Sequence, residues 1–330
     1  GSGEPADETS SAAEGEAELD GASDTGPEIT TGDGDTGEAA GDASEDDGSV
    51  THAAILEISG DPVVQFGIVP IGSSMSVLLD VTNTGPGRAT TISATPLAGP
   101  FSFVGGAYPG TGGTCEDGLD PGASCTVAVS FGAAAPAFTT GELRLDYDSD
   151  AGAGVATRVL RGGGESPNLV VNPGAESGSL APWGGLGEWS TVCFEVAPHS
   201  GSRCFFAGGD VYAETQSVLF QDIVLDPSWA AAIDAGEVVL AFQAQARSRS
   251  LVLGDEWRVV VDFRDSRADL ERMVDSNWQE TYSWTPTSAE VVPPSGTRIV
   301  RVRLACLRPG IALYCDAYFD TLSLVASPAE

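Results

Sequence analysis

The six tryptophans of the chain, Trp183, Trp189, Trp229, Trp257, Trp278 and Trp284, all lie after residue 165. Aromatic faces concentrated in one region suggest carbohydrate recognition, in which a pyranose ring stacks on the aromatic plane while polar side chains read its hydroxyls. Trp183 and Trp257 stand at apolar, core-type positions, and Trp284, in Tyr282-Ser283-Trp284, fits one too. Trp229, Trp278 and Tyr282 lie in loop-like sequence and are the candidate carbohydrate-binding residues, with a packed rim position as the alternative for each.

Charged chemistry is less specific. Arg247 and Arg249, and Arg258, Arg264, Arg267 and Arg272, stand among Asp255, Glu256, Asp262, Asp265, Asp269 and Glu271. A solvated face of mixed charge explains them; a seat for an acidic sugar is the sharper alternative. GxSxG and HExxH are absent, and His52 and His199, the only histidines, have no nucleophile nearby in sequence. A glycoside hydrolase would need two carboxylates facing across a groove, and acids are too common here to single out a pair. The expectation is therefore a non-catalytic protein. A literal GxGxxG at Gly32, Gly34 and Gly37 has no strand before it and no helix after it, so it is not a nucleotide loop.

Six cysteines fall in close pairs: Cys115 with Cys125, Cys193 with Cys204, Cys306 with Cys315. Sequence-local disulfides are the simplest of the possible connectivities and suit an oxidising compartment. Each would contribute roughly 2 to 3 kcal/mol by loop closure if unstrained. A zinc site is disfavoured by the lack of CxxC spacing.

The elements that must position these residues follow from composition. Residues 1–50 hold 16 acids and no basic residue; residues 51–164 hold 10 acids and 4 Arg; residues 165–330 hold 22 acids and 11 Arg. The first segment reads as a disordered acidic tether spanning roughly 40 Å as a flexible coil. A net charge of −33 repels phosphate backbones, so nucleic acid is not expected as a partner. No apolar run is long enough to span a membrane. An acidic low-complexity stretch after Gly1-Ser2-Gly3 resembles a bacterial lipoprotein just past its lipidated cysteine, with a cloning scar as the alternative. The localisation expected is exported: an outer-membrane or cell-surface lipoprotein anchored upstream, or a secreted protein.

From Ala53, short apolar runs recur with turn signals between them and no helical periodicity, which predicts an all-β sandwich over 51–164. Phe66-Gly67 with Gly72, Val81-Thr82-Asn83-Thr84-Gly85, Cys115, Leu119-Asp120-Pro121-Gly122, Ser124-Cys125-Thr126-Val127 with Phe131, and Leu160-Arg161-Gly162-Gly163-Gly164 resemble the choice-of-anchor D, hydin-like immunoglobulin-type domain. Gly132 to Pro136 departs from that pattern. The resemblance implies a spacer or protein-contact module without an active site. Gly162 to Pro167 reads as a linker.

Residues 165–330 read as strands again, including Asn168-Leu169-Val170-Val171, STVCFEVA from Ser190, the alternating Trp257, Val259, Val261 and Phe263, and a strand around Arg298 to Leu304 expected to be buried on both sides. One short helix is expected over Pro227 to Ala235. The opening Asn168 to Trp183, His199 to Ser202, Gln221-Asp222-Ile223, Ile233 to Gly236 and Tyr318 to Leu324 resemble the CenC-type carbohydrate-binding modules of families 4, 9 and 22, which implies a galactose-binding-like jelly roll. The resemblance further implies a structural Ca²⁺ held by Glu176 and Asp320, with carbonyls from Gly174 and the Ser200–Arg203 loop. Calcium wants six to eight oxygens, and a turn beside two carboxylates can supply them. The alternative is that Glu176 caps its turn and Asp320 pairs with an Arg.

The sequence thus predicts an acidic tether, an immunoglobulin-like sandwich and a jelly-roll sandwich. The expected partner is a polysaccharide or envelope glycan; the rival is a structural or adhesion protein whose β domains bind protein.

Overall fold

The computed structural model describes residues 51–208, 216–249, 254–308 and 315–329. The expected tether at 1–50 lies outside the described residues. Residues 50–330 group as one compact unit.

The fold is almost entirely β. In the N-terminal half, β1 (Leu56–Ile58), β3 (Ser74–Asn83), β7 (Ser124–Gly132) and β5 (Phe101–Phe103) form one sheet in the order β1-β3-β7-β5. The facing sheet runs β2-β9-β8-β4-β6, from β2 (Val63–Pro70), β9 (Gly152–Glu165), β8 (Phe138–Ser149), β4 (Ala89–Ala94) and β6 (Gly118–Leu119). β2 lies parallel to β9; the other pairs are antiparallel. Alternation along each strand turns Val81, Val127, Phe131, Leu143, Leu145 and Leu160 inward to a shared core, with Phe66, Phe101 and Phe131 in mutual ring contact.

The C-terminal half pairs β10 (Gly184–Leu186), β12 (Gln216–Val224), β17 (Ile299–Leu307), β14 (Glu256–Arg264) and β15 (Leu270–Asp275) in one sheet. Its facing sheet is β11 (Phe205–Phe206), β18 (Ala317–Pro328), β13 (Val238–Ser248) and β16 (Thr285–Val291). Trp183, Trp257, Phe263, Val302, Leu304, Phe319 and Leu324 fill the core between them. On β17, Val300, Val302 and Leu304 face that core while Arg301 and Arg303 are half-buried on the opposite face. A 3-10 turn, Pro227–Trp229, leads into α1 (Ala230–Asp234), so the expected helix is present but is only partly α. Asp226 caps the turn through the N–H of Ser228 at 2.8 Å.

Three sequence expectations need correction. Gly162, Gly163 and Gly164 are buried within β9 and form no linker there. A Cβ on Gly162 would meet the Phe131 ring at 2.6 Å, and one on Gly163 would meet Ile68 and Pro328 at 2.8 Å. Glycine is required here for close packing, inside the N-terminal core at Gly162 and against Pro328 of the other sandwich at Gly163, while its usual association with chain flexibility suggested a linker. Asn168 to Val171 is not a strand: Leu169 donates to Leu324, as Ser166 before it donates to Ala326, but the chain bends away at Val170 and no ladder forms. STVCFEVA is an irregular loop in which Ser190 alone bridges to Phe206. β10, β15 and β16 carry weak apolar alternation, which explains why pattern reading passed over them.

Candidate functional site

The loop after β10 folds over the outer face of the β11-β18-β13-β16 sheet. Successive residues of a strand point to opposite faces, so Phe205 and Phe319 enter the core while Phe206 and Tyr318 face outward. The loop covers these two rings: Ser190 and Phe206 exchange both backbone hydrogen bonds at 2.9 Å, and a Cys193–Cys204 disulfide closes the covering segment. Cys193, Val196 and Trp284 pack there, Tyr318 Oη donates to Phe194 O at 2.7 Å, and Trp284 Nε1 donates to Ala197 O at 3.0 Å.

The result is a run of near-parallel rings. Tyr318 stacks on Phe206 at 4.7 Å and 16°, and Phe206 on Phe194 at 6.3 Å and 23°. Phe194, the outermost, is 50% exposed. It stands in a cleft of about 520 Å³ whose polar edge is Ser190, Glu195, Arg249 and Asp316. Arg249 pairs with Glu195 and, at 3.3 Å, with Asp316, and its guanidinium carbon lies 5.1 Å from the Phe194 ring centroid. Gly208 completes the lip, where a Cβ would meet the Phe206 ring at 2.2 Å and Asp316 Oδ1 at 2.9 Å.

Burial pushes the Asp316 carboxyl above its ordinary range against the pull of Arg249. Behind it, burial pushes Asp255 up to about 6, although the N–H of Asp316 and the charge of Arg308 act the other way. Oδ1 of each aspartate accepts no hydrogen bond. The second local disulfide, Cys306–Cys315, ends beside Asp316; Cys115–Cys125 ties β7 to the loop before it in the other sandwich. A flat ring, charged edge groups and an open cleft of this volume suit a small cyclic polar ligand. A larger groove of about 770 Å³ lies where the sandwiches meet, but its aromatic residue, Phe138, is capped by Arg161 at 3.8 Å.

The three aromatic candidates from sequence do not gather here. Trp229 is 6% exposed and part of the core, because the 3-10 turn rotates it inward beside Ile233; it offers no free face to a sugar. Trp278 is half-buried with Arg258 over its ring at 5.4 Å. Tyr282 is half-buried, and its hydroxyl donates to Glu280. The binding-type side chains missed were Phe194, Phe206, Glu195 and Asp316. The available signal was the pair Phe194-Glu195 directly after Cys193, which a strand assignment concealed.

The arginine-rich stretch forms the outer face of the β10-β12-β17-β14-β15 sheet. Arg258 pairs with Asp275, Arg301 with Asp222 at 2.6 Å, and Arg264 and Arg303 both reach the wholly buried Asp262 at 2.9 and 2.8 Å. These guanidiniums are already committed to carboxylates, which argues against a seat for an acidic sugar on this face.

Glu176 and Asp320 meet the same short loop. Ser202 N and Arg203 N donate to Glu176 Oε1 at 2.9 and 2.8 Å, and Ser202 Oγ donates to Oε2 at 2.8 Å, which holds that carboxyl below its usual range. Asp320 is wholly buried, accepts from Ser200 N at 2.9 Å and Thr321 N at 2.6 Å, and is pushed up by burial. A Cβ on Gly174 would lie 3.0 Å from Asp320 Oδ1. Among the described residues, no group of three or more acidic, histidine or cysteine side chains could hold a metal ion. The oxygens of both carboxylates are engaged by donors of this chain, most of them backbone N–H groups.

No family model matches the chain, and no curated protein matches it. Several solved structures are similar over about half of it. A bacteriophage CBA120 tailspike protein 4 domain is 11% identical with a TM-score of 0.38 over 49% of this chain, a match spanning 21% of that one. The module TmCBM61, solved with β-1,4-galactotriose, is 17% identical with a TM-score of 0.34, covering 48% of this chain and 98% of its own. The CBM22-1 xylan-binding domain of Paenibacillus barcinonensis Xyn10C is 13% identical with a TM-score of 0.33, over 48% and 93%.

Proposed function

We propose that the protein is a non-catalytic glycan-binding protein whose site is the cleft around Phe194. The observation that carries this reading is the half-exposed Phe194 ring, fixed by the Phe206 and Tyr318 rings beneath it and edged by Arg249, Glu195 and Asp316. Rings held in register lose little freedom when a sugar stacks on them, which favours affinity. Titration with an oligosaccharide panel tests it. Phe194→Ala should weaken the bound member about tenfold, the loss of roughly 1.4 kcal/mol of stacking, with the melting temperature nearly unchanged. No binding across plant, microbial and envelope oligosaccharides would overturn it in favour of a protein-contact role.

The wider arrangement follows the same reading: residues 1–50 serve as an acidic tether, the N-terminal sandwich as an immunoglobulin-like spacer, and the whole as an exported surface protein. We also infer a structural Ca²⁺ at Glu176 and Asp320. Its support is the burial of Asp320 among backbone donors, a setting in which a cation offsets desolvation.

A further inference from the structure

We propose that the sugar unit seated on Phe194 carries a protonated primary amine, so that the ligand class is a de-N-acetylated amino-sugar polymer and not a neutral or acidic one. This rests on the glycan reading of the same cleft. Two carboxylates, Glu195 and Asp316, line the cleft against one guanidinium, Arg249. That guanidinium already holds both carboxylates. An acidic sugar would have to draw Arg249 off them and leave Asp316 buried and unpaired, which is costly. An ammonium group makes the opposite demand. Asp316 is 8% exposed and its Oδ1, itself shielded from solvent, accepts no hydrogen bond; an ammonium at the exposed edge of this carboxylate brings three donors. Arg249 already stands over the Phe194 ring at 5.1 Å, so the ring accepts a cation at this place. Asp255 adds negative charge behind the site, and its Oδ1 is also without a donor. Burial raises both carboxyls, against the pull of Arg249 on Asp316 and of Arg308 on Asp255.

Calorimetric titration of the full chain with glucosamine oligomers, N-acetylglucosamine oligomers and neutral glucose oligomers of equal length tests this. The expected result is about tenfold or greater preference for the free-amine series, from one charge-assisted hydrogen bond. Added salt should reduce that preference. Asp316→Asn should bring the free-amine and acetylated affinities together. Glu195→Gln, at a largely exposed side chain, serves as the second variant should Asp316→Asn melt early. Equal binding of free-amine and acetylated oligomers, or preference for the acetylated or glucose series, overturns the amine class and leaves the glycan reading standing. Failure of every oligomer to bind overturns both.

Discussion

The carboxylate of Asp255 takes the backbone N–H of Asp316 on Oδ2 at 2.9 Å and leaves its other oxygen without a donor. One hydrogen bond therefore joins the start of β14 to the start of β18 beneath the cleft, between two acids that burial disfavours as anions.

This pair predicts an unusual pH dependence. An acid whose folded-state pKa stands above its unfolded value stabilises the fold most when protonated. The contribution of Asp255 is thus complete below about pH 4 and is lost as pH rises toward about 6. Asp255→Asn keeps an acceptor for the Asp316 N–H. It should raise the melting temperature at neutral pH by on the order of 2–4 °C and flatten the melting profile between those limits. A lower melting temperature at neutral pH would show that the attraction of Arg308 outweighs burial.

The clasp that Glu176 and Asp320 make with the Ser200–Arg203 loop behaves in the opposite sense at Glu176. Glu176 is held below the ordinary carboxylate range by Ser202 and Arg203, so what it contributes is present at neutral pH and lost as pH falls through its folded value. Glu176→Gln should lower the melting temperature at neutral pH and have little effect in strong acid.

Calcium is tested at the same place. If Ca²⁺ joins Glu176 and Asp320, excess chelator should lower the melting temperature by several degrees and added Ca²⁺ should restore it, because a ligand of the folded state stabilises it by mass action. An unchanged melt would leave the backbone donors as the whole of the clasp.

The Cys193–Cys204 bridge should matter to binding as well as to stability. Replacing both by Ser frees the loop carrying Phe194 and Glu195, with an expected cost of about 2–3 kcal/mol in chemical denaturation and loss of oligosaccharide binding. Retained binding would show that the Tyr318 and Trp284 hydrogen bonds hold the loop unaided.

In the core of the N-terminal sandwich, Gly162→Ala should cost about 1–3 kcal/mol, because its Cβ would press on the Phe131 ring, which cannot yield within a filled core. Urea denaturation followed by tryptophan fluorescence and far-ultraviolet dichroism should register the change together if the sandwiches unfold as one unit.

The all-β class was legible because the core strands carry strong alternation: Trp257, Val259, Val261 and Phe263 on β14 point to one side in both sequence and structure. Edge strands such as Thr285–Val291 were not, since a strand with one neighbour and a wet face needs little apolar sequence. Glu176 and Asp320 could be brought to one loop from sequence by resemblance. The cleft could not, because its polar edge comes from three separate segments, and only the third dimension sets Arg249 between Glu195 and Asp316. The Trp229 assignment failed for a local reason: Asp226 and Pro227 start a turn, and the turn buries the residue that follows.

The chain enters and leaves the C-terminal sandwich side by side. Ser166 N donates to Ala326 O, and Ala326 N donates to Ser166 Oγ, both at 2.8 Å. A host loop interrupted between two neighbouring residues of a ladder has ends spaced about as far apart as these. Residues 166–326 therefore begin and end at one point of a ladder, a single hydrogen bond apart, so their insertion into such a loop would not stretch its ends.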